Sequence, residues 1–561
     1  MKKSVTNKSY ISLHLRYFQT SQMKSGYLFF ISVFVLQTSF AQTWKDTLNL
    51  IDKSFSQYQA NLPGIQLSIS RNGNTILSKA WGMADMERKV PLSTISILES
   101  GSVAKQFVAA SILLLEQQGK LSIDDDVRKY IPELPVYAHT ITLRQMMHHT
   151  SGLRDWGSIA ELTGWPRGKK FYSNEDVLDI IIHQKHLNNI PGDEYIYSNS
   201  NYNLMGIIVQ RLSGLTLAAF TRQFIFEPAG MNHSEWREDP NKIVPNRAIA
   251  YSKTANGFET NMPNEYVYGQ GGMLTTTEDL LKWNEFYQQG KFGNPSLLSK
   301  QIQLDSFNNG VPNNYAAGLI IGNANGWKNI SHSGSTASYR AYLESFSDMH
   351  LSIAILSNTS EFNIGDVATK IRWIFVADIA GKRLKQENNN NVTLAVLNAL
   401  VGTYKNERDA SSFQLSVVNN QLVFEKDVKL ITLSETRFSA SNFLLEIKGK
   451  NGMYIGNSTK DTVMITRVTG TTNNPDNWNG FDGNYSSSET NSSLLVKQGG
   501  GKLVLHVKPG HDYTMNPTYT DAFKVKELGA DILFIRDANG KPTRMNISIS
   551  RARNVAFEKS N

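Results

Sequence analysis

The chain has 561 residues, 40% of them hydrophobic, and a formal net charge of +8. This length and hydrophobic content predict two to four folded domains and argue against a largely disordered chain. The sequence contains no cysteine, which excludes disulfides, thiolate metal sites and cysteine nucleophiles.

Residues 1–42 have the composition of a secretory signal peptide. They carry five basic residues and no acidic residue, and include the ten-residue apolar run YLFFISVFVL and the small residue Ala41. A basic start, a short apolar run and a small residue before the cleavage point are typical of such peptides, and the run is short for a membrane span. We expect cleavage after Ala41, a periplasmic or secreted protein, and no membrane span after signal removal. An N-terminal anchor is the alternative.

The positive charge does not indicate a nucleic-acid partner. Five of the eight net charges lie in residues 1–42, so the rest of the chain carries a formal charge of +3. It has no dense Lys/Arg block, which is the pattern that basic nucleic-acid-binding surfaces require. The sequence also lacks a His-Glu-x-x-His motif. We therefore expect no nucleic acid, no metal and no cofactor.

Residues 43–385 mix helix-like and strand-like segments. KDTLNLIDKSFSQY has helical hydrophobic spacing, and GIQLSISRNGNTILSKAWG predicts two strands joined by a turn at Asn72-Gly73. A long apolar helix follows Ser102 and ends near Gly119. Three strand-like runs, NISHSG, YRAYLESF and LSIAILSN, precede a last helix, IGDVATKIRWIFVADIA. The polar segment GKRLKQENNNN, residues 381–391, lacks periodicity and is predicted to be a linker.

Beyond the linker the sequence alternates like β-strands and repeats itself. VGTY, ending at Tyr404, recurs as DGNY ending at Tyr485, and the Leu422 of NNQLVF recurs as the Leu503 of GGKLVL. Both pairs are 81 residues apart. A shared offset indicates a duplicated β unit, and closed barrels remove exposed strand edges. We predict two small barrel units, at 393–475 and 476–561, with one larger barrel as the alternative.

The first candidate site is the segment ESGSVAKQFVAASILLL, residues 99–115. Ser102 lies just before the apolar helix, and Lys105 can reach it because positions i and i+3 share a helix face. A serine is a weak nucleophile and needs a base, which a lysine becomes when burial lowers its pKa. This short pattern alone also fits an N-cap serine and a solvated lysine. The apolar positions all round the helix favour a buried lysine instead.

Two further clusters contain residues suited to catalysis. Tyr197-Ser198-Asn199 precedes an apolar helix, where a phenol can relay protons and an amide can orient a substrate carbonyl. A similar triplet, Tyr172-Ser173-Asn174, is predicted to cap a helix. His332-Ser333-Gly334-Ser335 lies at a strand end, where Gly334 would admit a substrate backbone. The alternative for this cluster is a polar turn between edge strands.

In this order the clusters resemble the serine β-lactamase and penicillin-binding DD-peptidase family, in its class C-like branch. S-x-x-K matches Ser102–Lys105, Y-x-N matches Tyr197–Asn199, and K/H-x-G matches His332–Gly334. MMHHTSGL and GQGGMLTTTEDLLKW also look like the family. The resemblance covers about residues 43–380. It implies an α/β (α+β) fold with an antiparallel sheet flanked by helices and a mostly helical subdomain, and the tail resembles the small barrels of some D-aminopeptidases.

The resemblance also implies a role for each site residue. Ser102 would be the acylated nucleophile, and Lys105 and Tyr197 would share the general base and acid work. Asn199 would hold the substrate amide. The backbone N–H groups of Ser102 and Ser335 would form the oxyanion hole, an interaction often worth several kcal/mol.

The third motif departs from the β-lactamases, because His332 stands where they usually carry lysine. A neutral imidazole anchors a substrate carboxylate less strongly than lysine does, although Ser333 can still donate a hydrogen bond to it. The residues 154–171 are expected to border the pocket, with their tryptophans shaping specificity.

The function expected from this resemblance is an exported serine hydrolase. It would cleave an amide or ester through an acyl-enzyme, as a D-amino-acid peptidase or DD-carboxypeptidase does. Its substrates would be small molecules or peptides, including peptidoglycan fragments. A carboxylesterase or weak β-lactamase is the alternative within the enzymes, and a non-catalytic sensor or binding protein is the alternative outside them.

Overall fold

We analysed a computed structural model of the full chain, which describes residues 44–55, 61–239, 241–324, 326–375, 392–440, 443–448, 451–456, 462–469 and 478–560. The proposed signal peptide and the proposed linker lie outside these residues. The chain divides into two compact units, residues 1–55 and residues 56–561. In the first, the predicted amphipathic helix runs over Trp44–Phe55.

A six-stranded antiparallel sheet forms the centre of the hydrolase domain. The predicted hairpin is confirmed, because Asn72 and Gly73 both have positive φ, at 51° and 76°, and join its two strands. The hairpin pairs with a strand from the far end of the domain, so that Ile65 faces Ser357. In sheet order the strands are Ile320–Ala324, Trp327–Thr336, Tyr339–Phe346, Leu351–Ser357, Ile65–Arg71 and Asn74–Trp81.

Helices cover this sheet and extend into a mostly helical region, as expected. The helix after Ser102 begins with the 3₁₀ turn Gly101–Ala104, which we call the nucleophile turn, and ends near Gly119 as predicted. Ser173 caps its helix through a capping box with Asp176, so this triplet is structural. The other α-helices are Leu143–Met147, Trp156–Leu162, Asn174–Ile182, Asn199–Ser213, Leu217–Thr221, Glu227–Ala229, Thr277–Gln288, Pro295–Gln301, Ile364–Phe375 and Leu394–Ala399.

Short helical turns and small sheets complete the domain. The turns are Val127–Lys129, Arg222–Phe226 and Ser347–Met349, and the small sheets comprise Leu98–Glu99, Met273–Thr275 and Glu235–Trp236; Met83–Asp85 and Val90–Pro91; Tyr251–Thr254 and Gly257–Thr260; Asp305–Ser306 and Pro312–Asn313.

Within the described residues no single helix is long and apolar enough to cross a membrane. One pair bent by 77°, Asn199–Ser213 with Leu217–Ala229, reaches the required length and composition only when taken together.

The C-terminal region consists of two antiparallel β units. The first is a nine-stranded sheet, in the order Val428–Lys429, Gln421–Phe424, Ser412–Val418, Gly402–Asn406, Thr462–Val468, Asn451–Gly456, Phe443–Lys448, Arg437–Ala440 and Ile431–Thr432. The second is a closed eight-stranded barrel of Gly483–Ser487, Ser492–Gly499, Lys502–Val507, His511–Tyr519, Ala522–Val525, Ala530–Arg536, Pro542–Ile549 and Ala552–Lys559. The alternative of one larger barrel built from both halves is therefore wrong.

The sequence repeat occupies matching positions in these two units. Tyr404 and Tyr485 are each the third residue of a five-residue strand, and both side chains are fully buried. Each hydroxyl donates to the carbonyl four residues earlier, at 3.0 Å and 2.8 Å. Leu422 and Leu503 are each the second residue of a strand and are also fully buried. The duplicated residues therefore build the same local structure twice.

The barrel packs against the hydrolase domain mainly through the helix Trp156–Leu162, and Ile180 of the helix Asn174–Ile182 also packs against the barrel core. Ile159 and Leu162 of the first helix are buried among the side chains that fill the barrel. Burial of apolar surface stabilises a packed interface by roughly 25 cal/mol per Å². These two buried side chains therefore help to hold the barrel against the hydrolase domain.

A buried ion pair lies at the same junction. Arg154 Nη1 is 3.0 Å from Glu489 Oε2, and the two side chains are only 1% and 5% exposed. Burial raises the pKa of Glu489, but the charge and hydrogen bond of Arg154 outweigh it and the pKa lies below its ordinary value. The two groups therefore remain charged, and each depends on the other.

We predict that Arg154→Leu destabilises the protein by about 3–5 kcal/mol, because it leaves the Glu489 carboxylate buried without its cation. Differential scanning calorimetry of the full chain measures the shift. Arg544→Leu is the control, because its pair with Glu558 is 43% and 64% exposed and is worth less than about 1 kcal/mol. Equal shifts for the two variants would contradict the prediction.

Candidate active site

Two glycines bring the nucleophile turn into backbone contact with the strand of the third motif. Gly101 has a φ of 50°, and a Cβ added to it would lie 2.6 Å from Ser335 N. A Cβ added to Gly334 would lie 2.0 Å from Ser100 O and 3.1 Å from Ser102 N. Because neither glycine has a side chain, the two segments can approach this closely. The approach brings together the backbone N–H groups of Ser102 and Ser335, as an oxyanion hole requires.

The geometry adds a second reason for glycine at position 334. The space that a side chain would fill is occupied by the Ser100 carbonyl of the protein itself. Gly334 also lines the cavity, and its predicted contact with a substrate backbone stays a prediction.

Lys105 is fully buried beside the nucleophile. Its Nζ lies 3.1 Å from Ser102 Oγ, 2.9 Å from Asn199 Oδ1 and 2.6 Å from the carbonyl oxygen of Gln270. Its side chain has no exposed area. Burial lowers the pKa of Lys105 well below 10.5, and the nearby Arg551 guanidinium lowers it further.

The three contacts of Lys105 are all with oxygen atoms. As an ammonium, Nζ can donate to Ser102 Oγ, Asn199 Oδ1 and the Gln270 carbonyl oxygen. A neutral amine has two N–H donors and one lone pair, so in that form Asn199 and Gln270 can accept the two N–H groups while the lone pair accepts from the Ser102 hydroxyl. The geometry therefore allows the deprotonated amine to take the proton of Ser102.

Tyr197 adds a buried phenol to this pair. Its ring centroid is 4.8 Å from Lys105 Nζ, and no hydrogen-bond partner of its hydroxyl is found among the described residues. Burial raises the pKa of Tyr197, while the nearby Ser102 hydroxyl and Arg551 guanidinium oppose this rise. The phenol therefore stays protonated at neutral pH and suits proton donation better than proton abstraction.

Asn199 begins a helix and links Lys105 to the rest of the site. Its backbone N–H donates to Asp155 Oδ2 at 2.7 Å. Because its Oδ1 accepts from Lys105, its Nδ2 is the part of the side chain left to donate to a ligand. This agrees with the predicted contact to a substrate amide.

His332 is a neutral residue with both ring nitrogens occupied. Nδ1 lies 2.6 Å from the Ser333 carbonyl oxygen, which can only accept, so Nδ1 carries the proton. Nε2 then accepts from the Tyr315 hydroxyl at 2.9 Å. Burial lowers the pKa of His332 to about 4. The position where related β-lactamases carry a lysine is therefore uncharged here.

A cavity of about 580 Å³ opens onto these groups. All the predicted site residues line it except Lys105, which is buried beneath its surface. Sequence reasoning missed several other lining residues. Gln270 stood in a stretch that already resembled the family, and Arg167 lies in the segment 154–171 that was expected to border the pocket. Sequence reasoning singled out none of the charged or polar lining residues Glu265, Tyr315, Arg340 and Arg551.

The segment 154–171 borders this cavity through a different residue than expected. Arg167 lines the cavity and is paired with Glu265. Neither Trp156 nor Trp165 lines the cavity directly. Trp156 is fully buried, and its Nε1 donates to Gln270 Oε1 at 3.2 Å.

In the described part of the chain, no three His, Asp or Glu side chains are grouped to hold a metal ion.

The family model named Beta-lactamase matches residues 51–377, more than half of the chain. The chain belongs to the Beta-lactamase family. It is a serine hydrolase of the β-lactamase and penicillin-binding protein type, with the fold that the sequence predicted.

Two curated relatives indicate the range of this family. A penicillin-binding protein of Bacillus subtilis (strain 168) is 26% identical over 405 residues, 68% of this chain and 88% of that protein. A D-aminopeptidase of Gluconobacter oxydans (strain 621H) is 25% identical over 298 residues, 53% of this chain and 56% of that protein. The chain thus spans little more than half the length of the D-aminopeptidase.

Solved structures support the fold. The octameric penicillin-binding protein homologue from Pyrococcus abyssi has a TM-score of 0.51 at 21% identity, covering 75% of this chain and 99% of that one. The D-amino acid amidase from Ochrobactrum anthropi SV3, complexed with D-phenylalanine, has a TM-score of 0.50 at 18% identity and covers 59% of this chain and 98% of that one.

We predict that kcat/KM for a neutral ester rises with pH through a group whose pKa lies well below 10.5, the ordinary value for lysine. Activity is lost as pH falls through this pKa, because protonated Lys105 cannot accept the Ser102 proton. Any fall due to ionisation of Tyr197 occurs above pH 10, since burial raises its pKa. A stopped-flow pH profile of ester hydrolysis measures both limits.

The variant His332→Gln separates Lys105 from histidine in this profile. Burial lowers the pKa of His332 to about 4, so a rising limb near neutral or alkaline pH does not come from this imidazole. The rising limb should therefore keep its midpoint in His332→Gln, whatever happens to the maximal rate. A limb that moves or disappears in this variant would assign it to histidine.

Proposed function

We propose that this chain hydrolyses amide bonds next to D-amino acids through an acyl-enzyme on Ser102, with a DD-carboxypeptidase-like or D-amino-acid peptidase activity. The observation that carries the proposal is the buried Lys105 amine, 3.1 Å from Ser102 Oγ. A buried lysine with a lowered pKa is costly to maintain. Its position against a serine hydroxyl gives that cost a catalytic use.

In the proposed acylation step, Lys105 takes the proton of Ser102 as Oγ forms a bond to the substrate carbonyl carbon. The resulting oxyanion accepts hydrogen bonds from the backbone N–H groups of Ser102 and Ser335. Tyr197 donates its proton to the leaving nitrogen as the carbon–nitrogen bond breaks, and the Lys105 ammonium returns a proton to the phenolate. The amine leaves, and Lys105 is neutral again.

In the proposed deacylation step, water replaces the departed amine. Lys105, acting through Tyr197, accepts a proton from the water as its oxygen attacks the ester carbon. The oxyanion is again held by the two backbone N–H groups. The carbon–oxygen bond to Ser102 then breaks, the Lys105 ammonium returns its proton to Oγ, and the carboxylic acid product leaves with Lys105 neutral again.

The proposed substrates are small peptides that contain D-amino acids, including peptidoglycan fragments. Two relatives support this class by name, the D-aminopeptidase and the penicillin-binding protein of Bacillus subtilis. The neutral His332 argues for a peptidase over an efficient β-lactamase, since lysine at that position would bind the β-lactam carboxylate more strongly.

We predict that Ser102→Ala abolishes both turnover and covalent labelling while the protein stays folded. Wild type is exposed separately to benzylpenicillin and to a fluorophosphonate, and the intact mass is measured by mass spectrometry. A penicillin adduct favours the peptidase activity, and a fluorophosphonate adduct alone favours the carboxylesterase alternative. Hydrolysis of D-alanyl-D-alanine peptides is measured in parallel.

Ser486→Ala is the matched control, because Ser486 is an exposed serine of the barrel and does not line the cavity. It should retain the adduct that Ser102→Ala loses. Hydrolysis that persists in Ser102→Ala would overturn the nucleophile assignment. The absence of both adducts and of turnover in wild type would favour a non-catalytic binding protein.

We further propose that residues 1–42 direct export to the periplasm or outside the cell. Support comes from their basic start, their short apolar run and the small residue at Ala41.

Expression of the full chain in a Gram-negative host tests export. We expect the protein in the periplasmic fraction or medium, with a mature N-terminus at Gln42 by mass spectrometry. A variant that begins at Gln42 behind a start methionine should remain in the cytoplasm. Full-length protein that keeps residues 1–42 in the membrane fraction would support an anchor and overturn the cleavage prediction.

A further inference from the structure

The closed barrel contributes one side chain to the catalytic cavity, Arg551. This residue lies on the turn between the last two strands of the barrel and lines the cavity. The carbon at the centre of its guanidinium is 4.6 Å from the ring centroid of Tyr197, and the side chain is 41% exposed. The Arg551 cation therefore lies against the ring of Tyr197, the proposed proton donor, and remains open to the cavity.

Hydrogen bonds from the hydrolase domain hold the backbone of this turn. The Arg551 N–H donates to Ser158 Oγ at 3.2 Å, and its carbonyl accepts from Asp155 N at 3.3 Å and from Asn188 Nδ2 at 2.9 Å. Asn188 Oδ1 also accepts from Arg553 N at 2.8 Å. These bonds fix the turn without using the Arg551 guanidinium, so the side chain is positioned in advance.

The guanidinium of Arg551 has donors to spare. Its ion-pair contact within the described residues is with Asp155 Oδ2 at 3.9 Å, which is beyond hydrogen-bond distance. Asp155 already accepts from the backbone N–H groups of Asn199, at 2.7 Å, and Ser158, at 3.2 Å. Among the described residues, no acceptor is found within hydrogen-bond distance of the Arg551 side chain.

The other charged groups at the cavity are less available. Arg167 is hydrogen-bonded to both carboxylate oxygens of Glu265. Arg340 donates through one nitrogen to the carbonyls of Ala337 and Tyr339, at 2.9 Å and 2.8 Å. His332, the residue at the position of the family's lysine, is neutral with both nitrogens engaged. Of the three arginines that line the cavity, Arg551 therefore has the most N–H donors left for an anionic ligand.

We propose that Arg551, supplied by the barrel, binds a substrate carboxylate and takes over the anchoring role that His332 does not fill. A guanidinium presents parallel N–H donors that match a carboxylate. The substrates selected in this way are peptides or amides that carry a free carboxylate. This inference rests on the proposed function, since it assigns the substrate of the same site.

Binding to a catalytically inactive protein tests the inference separately from catalysis. In the full-length Ser102→Ala background, isothermal titration calorimetry compares N-acetyl-D-alanyl-D-alanine with its C-terminal carboxamide, which lacks the charge. We expect the acid to bind about tenfold to a hundredfold more tightly, the range for a hydrogen-bonded charged group. Adding Arg551→Gln should remove this preference, and Arg551→Lys should restore part of it.

Arg544→Gln is the matched control, because it removes the same charge from the preceding strand and should keep the preference. Circular dichroism melting verifies that each variant is folded, and Arg551→Lys serves alone if Arg551→Gln is not. The inference is overturned if the acid and carboxamide bind equally, if the acid does not bind, or if Arg551→Gln keeps the preference. Loss of the preference in Arg340→Gln alone would reassign the role to Arg340.

Two results separate this inference from the proposed function and from a purely electrostatic role. Carboxylate preference in a protein whose wild type forms no acyl-enzyme would support the inference and contradict the proposed function. Arg551→Gln could instead weaken the binding of both ligands equally and, in the protein that retains Ser102, shift the pH profile of hydrolysis. That result would contradict the inference. It would mean that Arg551 acts on Lys105 and Tyr197 instead.

Discussion

A fully buried lysine amine beside a serine hydroxyl is the constraint on which the rest of this structure depends. Desolvating an ammonium is costly, so the pKa of Lys105 falls. The amine can stay buried because Asn199 and Gln270 provide neutral oxygen acceptors. Each comes from a different part of the domain. The helix, the Asn199 segment and the loop of Gln270 must therefore assemble together before Ser102 acquires its base.

One short segment connects this arrangement to the C-terminal barrel. Arg154 pairs with Glu489 of the barrel. The next residue, Asp155, accepts the backbone N–H of Asn199, and the helix that follows contributes side chains to the barrel core. The residue that holds the backbone of Asn199 is thus adjacent in sequence to the residues that attach the barrel. We consider the barrel to be part of the active site for this reason, and the position of Arg551 gives that view a testable form.

Much of the local structure followed from sequence patterns alone. The turn at Asn72-Gly73 requires positive φ at both residues, which asparagine and glycine tolerate. The cap at Ser173 follows from side-chain oxygens that satisfy free N–H groups. The repeat was visible because buried tyrosines and leucines recur at one spacing. The motifs around Ser102, Tyr197 and His332 pointed to one cavity, because their order matched a known family.

The sequence by itself determined the family, the kinds of elements and the proximity of Lys105 to Ser102, because these depend on neighbours within one or two helical turns or on ordered motifs. Tertiary structure alone decided which distant groups share the cavity. Gly334 serves a backbone contact with Ser100 that no local pattern encodes. Arg551 reaches Tyr197 from the last pair of barrel strands. Such contacts join residues far apart in the chain, and only packing of the whole domain sets their distance.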